Sequence, residues 1–338
     1  MKRIWKRIRY RIEWLALVVA LKLVPLLSRS ACYELGGWLG SLIAHFDKRG
    51  RAVAVANLEA AFANRFAPNE RDATARESFQ HFIRTMLDLF WSPRLTSSNF
   101  RDYFEFEGVE ESRAEIGPNG SCIFCVFHYG NFEWLGLVYG WLGFTCTIAA
   151  EEFKNPTFNP FFAELREQSG HQIIPREGAI VKLYKTLRKG GRVALFVDTT
   201  LPPHHPTVVI ECFGMKTIIT VAHAWLENRT RVPLIPMYCE PLAHGRYRVV
   251  ALPKVNVAHD ATHQEIAQAC WNAFEPVVRH NPAPWLWMYK HWRYKPEDAT
   301  RPYPFYSQES PAFEQIAARP DYAKLDRSRL PQPAETSA

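Results

Sequence analysis

The sequence predicts an α/β fold, with a mostly parallel central sheet flanked by helices and a helical, membrane-associated N-terminal segment. Two features support this prediction: strand-like and helix-like runs alternate through the body of the chain, and a basic, apolar region comes before them. Alternation of strand and helix is typical of parallel sheets, whose crossover connections are helices. The chain has 338 residues, 47% of them hydrophobic, which is ample for a large core.

The first 50 residues form the predicted membrane-attachment region. Lysines and arginines precede an apolar stretch over 12–27, which is interrupted by Glu13, Lys22 and Pro25. That stretch is shorter than the ~20 apolar residues of a spanning helix. A second apolar piece, over 31–46, leads into another basic cluster. Basic side chains beside apolar ones suit helices that bind an anionic membrane surface.

Three modes of attachment are open. A cleaved signal peptide would explain the basic start and the apolar centre, but Arg29 disrupts the small-residue pattern that cleavage requires. A single transmembrane span would place the basic start in the cytoplasm, although the body of the chain is also basic. In the third mode, two amphipathic helices lie on the cytoplasmic leaflet, with Trp5 and Trp14 below the lipid headgroups.

Helical periodicity continues after this region. Residues 51–63 are predicted to form a short helix. From Asn69, a predicted N-cap just after Pro68, a longer helix reaches about Trp91, with apolar residues at three- and four-residue steps. We expect this helical third to pack on the sheet or to mediate the membrane contact.

The body of the chain alternates between strand and helix. Strands are predicted at 121–127, 144–149, 192–197, 207–213, 232–239 and 246–252. Helices are predicted at 132–142, 157–169, 178–189 and 217–228, with a last helix near 262–280. Because the connecting loops are short, 51–310 is predicted to be a single α/β domain. Residues 311–338 are polar and rich in Pro and Ala, so we predict a poorly ordered tail.

The seven cysteines are scattered, and their spacing fits no zinc site. Cys122 and Cys125 form a C-x-x-C, but it lies inside a strand-like run, where the two side chains point to opposite faces. We therefore predict buried, reduced thiols. Neither a metal ion nor an organic cofactor is expected.

A histidine and a glutamate stand where a buried strand is predicted to end. In "SCIFCVFHYGNFEW", His128 directly follows the apolar run, and Glu133 falls in the first turn of the next helix. Functional groups of α/β sheets gather beyond the carboxyl ends of strands. We predict that Glu133 holds one ring nitrogen of His128 and leaves the other as a general base. Two alternatives stay open: a structural histidine, and a metal-binding pair completed by another ligand such as His204 or His205.

Further motifs resemble one enzyme family. H-x-x-x-x-E after an apolar strand is similar to the H-x-x-x-x-D/E signature of glycerolipid acyltransferases. The resemblance narrows to the bacterial lipid A late acyltransferase (lauroyl/myristoyl transferase) family through "RAVAVANLEAAFAN", "KNPTFNPFFAELREQSG", "LRKGGRVALFVDTTLPP", "VVIECFGMKTIIT" and "NPAPWLWMYKHWRYKP". These segments occur in the family's order and extend the resemblance from about residue 5 to 297. It implies a glycerolipid-acyltransferase-like fold.

The resemblance also implies roles for particular residues. His128 matches the family's base and Glu133 its partner, while the substrate-binding candidates are Arg166, Arg176, Asp198 and Asn131. Asp198 matches the first acidic residue of a D-x-D, whose second position is Thr200 here.

The implied reaction moves a fatty acyl chain from an acyl carrier protein thioester, or acyl-CoA, to a hydroxyl of a phosphorylated glycolipid, the lipid A precursor. The expected location is the cytoplasmic face of the inner membrane. A net charge of +7 suits an acidic carrier or an anionic membrane. Two rivals remain: the same chemistry on a glycerophospholipid, phosphatidylinositol mannoside or amino-acid lipid, and a non-catalytic lipid-binding protein. A nucleic-acid partner is not expected, because no nucleic-acid-binding motif is present.

Overall fold

The computed structural model describes residues 2–117 and 120–317. The helices in these ranges are α1 (Lys2–Leu23), α2 (Arg29–Phe46), α3 (Lys48–Phe62), α4 (Pro68–Trp91), α5 (Val109–Ile116), α6 (Phe132–Trp141), α7 (Asn159–Glu167), α8 (Ala179–Arg188), α9 (Ala222–Thr230), α10 (His263–His280) and α11 (Pro311–Ala317). The strands are β1 (Phe104–Glu107), β2 (Ile123–Gly130), β3 (Cys146–Ala150), β4 (Gln172–Pro175), β5 (Arg192–Phe196), β6 (Thr207–Cys212), β7 (Met215–Thr220), β8 (Leu234–Pro241), β9 (Tyr247–Ala251), β10 (Tyr294–Lys295) and β11 (Gln308–Glu309).

A seven-stranded sheet is the centre of the fold. Its strand order is β1-β9-β8-β2-β5-β3-β4. Strands β8, β2, β5, β3 and β4 run parallel to one another, whereas β9 is antiparallel to β8 and β1 is parallel to β9. The prediction of an α/β fold with a mainly parallel central sheet is confirmed.

Helices cover both faces of this sheet, as the alternation along β2 shows. Cys125 and Phe127 belong to the apolar cluster that includes residues of α8, α9 and α10. Cys122 and Phe124 belong to the cluster on the other face, which includes residues of α4 and α6. The prediction that Cys122 and Cys125 point to opposite faces is therefore confirmed. All seven cysteines are buried and free of disulfides.

The N-terminal helices pack on α4 and beside the sheet. Helix α2 approaches α4 closely because it presents glycines to it: a Cβ at Gly40 would lie 2.4 Å from the Cα of Gln80. Helix α1 instead contacts the segment that follows β3. The Tyr10 hydroxyl donates to the carbonyl of Lys154 (2.6 Å), and the Asn155 amide donates to the carbonyl of Tyr10 (3.1 Å).

Large apolar side chains are concentrated on the outer surfaces of α1, α2 and the turn between them. They make up 13 of the 15 exposed large hydrophobic residues in the described chain: Ile4, Trp5, Ile8, Ile12, Trp14, Leu15, Val19, Leu23, Leu26, Trp38, Leu42, Ile43 and Phe46. Within the described residues, none of the helices combines the length and the apolar character that crossing a membrane requires.

The start of α4 differs from the prediction. The helix begins at Pro68, and the cap is Ala67, whose amide donates to the carboxylate of Glu70 at 2.7 Å. Proline is favoured at the first helical position, because the N–H it lacks would have no partner there. Asn69 therefore lies inside the first turn, and its predicted N-cap role is wrong.

The helix predicted over 217–228 is also partly wrong. The chain there first forms β7, which pairs antiparallel with β6, and α9 starts only at Ala222. Phe213 and Gly214 connect the two strands with φ values of 52° and 73°, the positive angles of a mirror-image hairpin turn. The hairpin is separate from the central sheet.

The C-terminal segment is only partly described. Within the predicted tail 311–338, the first seven residues form α11, where Phe313 and Ile316 are buried against the β6–β7 hairpin. Residues 311–317 are thus helical, and the prediction of a poorly ordered tail stays a prediction. The remainder of that tail, 318–338, lies outside the described residues.

Candidate active site

His128 and Asp198 meet because their strands are parallel neighbours. Val126 of β2 pairs with Phe196 of β5, so two further residues along each strand bring His128 beside Asp198. Nδ1 of His128 is 2.8 Å from Oδ1 of Asp198, and the backbone N–H of His128 donates to Oδ2 at 2.9 Å. The register of the sheet therefore builds this pair.

The Asp198 carboxyl is buried and ionised. Burial by itself raises its pKa, but the charge of His128 and hydrogen bonds from His128 and Trp285 outweigh burial, and the net pKa is lowered. An ionised carboxylate only accepts hydrogen bonds, so Nδ1 of His128 carries a proton. Nε2 of the same ring then has a free lone pair in the neutral imidazole, and it makes no hydrogen bond within the described residues.

Aromatic rings hold the imidazole in place. The ring of His128 stacks on Phe196 with centroids 4.1 Å apart, and Phe132 meets it edge-on at 5.1 Å. The His128 side chain is 26% exposed, and the residue lines a cavity. A fixed ring with one free nitrogen beside open space has the geometry of a general base.

Glu133 does not hold His128, contrary to the prediction. Its two carboxylate oxygens accept from Nη2 and Nε of Arg166 at 2.6 and 2.9 Å. Burial lowers the pKa of Arg166, but the Glu133 carboxylate more than offsets this, and the net pKa is raised. Glu133 pairs with Arg166 because it lies on α6, which packs on α7. The strand in register with His128 is instead β5, which carries the chain to Asp198.

Asn131 makes structural contacts in this geometry, and its predicted contact with substrate stays a prediction. The side chain is fully buried. Its Oδ1 accepts from the amide of Trp134 at 3.0 Å, which caps α6, and its Nδ2 donates to Asp88 at 2.8 Å. Asn131 thus fixes the turn between His128 and Glu133.

Asp88 is the centre of a buried network that prediction from the sequence missed. Besides Asn131, its carboxylate accepts two hydrogen bonds from Arg29, at 2.5 and 3.0 Å, and one from the Tyr247 hydroxyl at 2.6 Å. Burial raises the pKa of Asp88, and the Arg29 charge opposes that rise. The Arg29 guanidinium lies over the ring of Trp134, 4.8 Å from its centroid. The first residue of α2 is therefore tied to the turn that follows His128.

The cavity has a volume of about 1250 Å³. His128, Glu133 and Arg166 line it together with Arg176, so four of the predicted site residues lie around one space. Much of the remaining lining is apolar and comes from β2, β3, β5 and the facing side of α6: Phe124, Val126, Leu135, Gly136, Tyr139, Ile148 and Ala194. Such a mixture of apolar wall and few polar groups is typical of ligand sites.

Arg176 differs from Arg166 in its surroundings. It follows β4, is 40% exposed in its side chain, and donates from Nη1 to the Glu151 carboxylate at 2.9 Å. Arg166 is 23% exposed and held bidentately. Both predicted basic positions thus lie on the cavity: Arg176 is paired with an exposed glutamate, and Arg166 with one whose side chain is buried.

The segment after α10 supplies site residues that were missed. Trp285 donates from Nε1 to Asp198 at 3.0 Å, and the ring of His291 stacks on Trp285 at 3.9 Å. The carbonyl of His291 in turn accepts from the hydroxyl of Thr200 at 2.8 Å. Trp285 and His291 lie in "PAPWLWMYKHW", a segment rich in aromatic residues. This aromatic content was the feature of the sequence that could have indicated a contribution to the site.

A family model for bacterial lipid A biosynthesis acyltransferases matches residues 2–294. That span contains every site residue described above. The chain belongs to the bacterial lipid A biosynthesis acyltransferase family. No curated protein matches the chain.

Membership of this lipid A acyltransferase family indicates an enzyme that takes an acyl donor and a lipid acceptor. Every site element, from β2 with His128 to the segment with Trp285 and His291, falls within the family match. The large apolar cavity beside a free imidazole nitrogen is chemically consistent with both substrates.

Proposed function

We propose that the protein transfers a fatty acyl chain from a thioester to a hydroxyl of a lipid A precursor, with His128 as the general base. The observation that carries the proposal is the Asp198–His128 pair, which leaves Nε2 unpartnered among the described residues on the wall of an apolar cavity. Asp198, rather than Glu133, orients the base.

The reaction needs no nucleophile from the protein. Nε2 of His128 takes the proton from the acceptor hydroxyl while its oxygen attacks the thioester carbonyl carbon. The tetrahedral intermediate then collapses, the carbon–sulfur bond breaks, and the thiolate receives the proton from His128. Asp198 stabilises the imidazolium that forms between these steps. General base catalysis of this kind contributes about 100- to 10,000-fold in rate.

The intermediate's oxyanion requires hydrogen-bond donors. The amides of Gly130 and Asn131 are already used, since they donate to the carbonyls of Pro284 and Cys239. The amides at the start of α6, those of Phe132 and Glu133, have no acceptor within the described chain. First-turn amides of a helix are donors in need of partners, so we assign them to the oxyanion.

Arg166 and Arg176 would bind the acceptor's phosphates. Arg166 keeps Nη1 free of hydrogen bonds to the described residues while Glu133 fixes the other edge of its guanidinium. Arg176 is paired with one exposed glutamate, and such surface pairs are weak, about 0–1 kcal/mol. A phosphate can therefore displace Glu151 from Arg176 at little cost.

The acyl chain would occupy the apolar arm of the cavity between α6 and the sheet. Phe124, Leu135, Tyr139 and Met237 line this arm. A saturated chain buried there gains about 0.8 kcal/mol per methylene, so the depth of the arm selects chain length.

The test is a mass-resolved assay of the purified, detergent-solubilised protein. It receives a panel of acyl carrier thioesters together with a phosphorylated lipid A precursor. We expect the acceptor to gain the mass of one acyl chain, and His128→Ala to abolish the gain. Folding of the variant is checked by its unfolding midpoint.

Two results would contradict the proposal. If the gain persists in His128→Ala, another residue is the base. If no donor gives a gain, the same assay with glycerophospholipid, phosphatidylinositol mannoside and amino-acid lipid acceptors separates the rival acceptors from a non-catalytic lipid-binding protein.

We also propose that α1 and α2 attach the enzyme to the cytoplasmic face of the inner membrane. The exposed residues Ile4, Ile8, Ile12 and Leu15 recur at helical spacing along α1, among exposed arginines and a lysine. Apolar side chains between basic ones favour a helix lying on anionic lipid.

A further inference from the structure

Helix α8 carries a row of basic side chains on its outer surface. Lys182, Lys185, Arg188 and Lys189 are all exposed, and their spacing of three or four residues, with Lys189 just past the helix, places them on one side of it. None of the four forms an ion pair within the described part of the chain.

This row accounts for much of the protein's net charge. The segment 176–192 contains six basic residues and one acidic residue, a net +5 of the total +7. Like charges at i and i+3 or i+4 repel each other and destabilise a helix slightly. A basic cluster without paired carboxylates in the described chain is suited to an anionic partner.

The opposite side of α8 is part of the active-site cavity. Ala179, Ile180 and Leu183 line the cavity, so Lys182 and Lys185 flank residues of the cavity wall. A macromolecule bound on the basic row would therefore be separated from the cavity by the width of one helix.

We propose that this basic face of α8 docks an acidic carrier protein that delivers the acyl thioester on a flexible arm. The inference rests on the proposed function and adds the place where the donor binds. Charge complementarity selects the partner: an acidic surface gains affinity and association rate from four unpaired cations.

A membrane is the less suitable partner for this face. Membrane-binding helices need large apolar side chains between the basic ones. Helix α8 exposes only one, Val181, whereas α1 and α2 and the turn between them expose thirteen. Soluble acidic protein, rather than lipid, fits a charged face without apolar anchors.

The experiment compares two donors with the full-length enzyme. The variant is Lys182→Glu/Lys185→Glu, and the matched control is Arg101→Glu/Lys254→Glu, which changes the net charge equally beside β1 and β9, at the other edge of the sheet. Each protein is assayed with an acyl carrier thioester and with the uncharged acyl-pantetheine. We expect the variant to raise KM for the carrier thioester at least tenfold and to weaken its salt dependence. The kcat/KM of the α8 variant with acyl-pantetheine should stay within twofold of the wild-type value. The kinetic constants of the control variant with both donors should also stay within twofold of the wild-type values.

Three outcomes would overturn the docking proposal. The first is that the wild type uses the carrier thioester and the α8 variant has the same KM for it. The second is an equal loss with acyl-pantetheine, which would locate the defect in the cavity. The third is lost binding to anionic vesicles with unchanged carrier kinetics, which would make α8 a lipid contact. Inactivity of the wild type with both donors would instead contradict the proposed function.

Discussion

At the scale of single residues, the decisive contact is the one between Asp198 and His128. The sequence predicted Glu133 as the carboxylate that orients the imidazole, and Glu133 and Asp198 lie on different elements. Glu133 neutralises Arg166, whereas Asp198 receives Nδ1–H, the backbone N–H of His128 and the indole N–H of Trp285. Three donors on one buried carboxylate fix both its charge and its position.

We predict that Asp198→Asn lowers kcat by about 100- to 10,000-fold, with a smaller effect on KM. An asparagine can donate its amide to Nδ1, which moves the imidazole proton to Nε2 and removes the base. Steady-state kinetics with Glu133→Gln as the comparison would check this. A fall of less than threefold in Asp198→Asn would show that the carboxylate does not orient the base.

His291 predicts a pH dependence of stability. Burial lowers its pKa to about 4, so the folded protein keeps this ring neutral while the unfolded chain protonates it near 6.5. Below pH 6.5 the unfolded state thus binds more protons, and the free energy of unfolding falls until the folded ring also titrates near pH 4. At pH 5 this group alone costs about 2 kcal/mol.

The measurement is urea unfolding at pH 7 and at pH 5. In His291→Gln, the free energy of unfolding should decrease less between pH 7 and pH 5 than in the wild type. Other groups contribute equally to the decrease in both proteins; one is His81, whose pKa is lowered by burial to about 3. An identical decrease in the wild type and in the variant would contradict the prediction.

At the scale of elements, α6 connects the base to the acyl arm. Its first turn lies beside His128, and Gly136 in its middle lines the cavity. A Cβ added at Gly136 would meet no atom within 4 Å, so a side chain there would project into open space. Gly136 therefore widens the arm at this level.

Replacing Gly136 should change which acyl chain is transferred. We expect Gly136→Leu to shift product towards chains shorter by several carbons, because the new side chain fills part of the arm. Gly136→Ala is the matched control and should shift the length of the transferred chain less. Both variants should be as stable as the parent, since glycine inside a helix costs about 0.5–1 kcal/mol relative to alanine. Competition between thioesters of different lengths, read by mass, would check this; an unchanged product ratio would locate the acyl chain elsewhere.

Helix α2 and helix α4 meet the active-site turn through Arg29 and Asp88. Removing one partner of a buried ion pair leaves an uncompensated charge, so Asp88→Asn should cost about 3–5 kcal/mol of unfolding free energy. The double variant Arg29→Met/Asp88→Leu should recover part of that loss. Chemical unfolding of the wild type, Asp88→Asn and the double variant is the measurement, and a double variant no more stable than Asp88→Asn would contradict the prediction.

At the scale of the whole molecule, the main exposed apolar surface lies on different elements from the basic surface and the cavity. In the described chain, exposed apolar residues concentrate on α1, α2 and the turn between them, basic residues without ion pairs occupy α8, and the cavity is lined by the sheet, α6 and α8. Helix α1 also contacts Lys154 and Asn155, close in sequence to the cavity residue Phe153. Helix α1, which carries part of the proposed membrane surface, thus contacts the segment next to a residue that lines the cavity.

Vesicle binding tests the proposed membrane surface. We expect Ile8→Glu/Ile12→Glu to weaken partitioning onto vesicles containing anionic lipid by at least about 100-fold, because burial of two such side chains contributes about 3 kcal/mol or more. Phe305→Glu is the control, since Phe305 is exposed and apolar but outside α1 and α2. Equal partitioning of all three proteins would remove α1 from the membrane contact.

Much of the architecture could be predicted from local pattern. The alternation of strands and helices predicted the mainly parallel sheet, and apolar periodicity located α4, α6, α8 and α10 within a few residues. The short strands β1 and β4 were missed, because four residues carry too little periodicity. Strand β7 was taken for helix, because only its pairing with β6 decides its conformation.

Some features of the candidate site could also be predicted from the sequence, and others could not. The sequence by itself determined that His128 follows a buried strand, since position after a strand is a local property. The family resemblance carried by the sequence motifs predicted that Arg166 and Arg176 belong near it. Only the tertiary structure decided which carboxylate meets the imidazole, that Asn131 donates to Asp88, and that Trp285 donates to Asp198. The physical reason is that these contacts depend on strand order, register and helix packing, which bring together residues 43 or more positions apart along the chain.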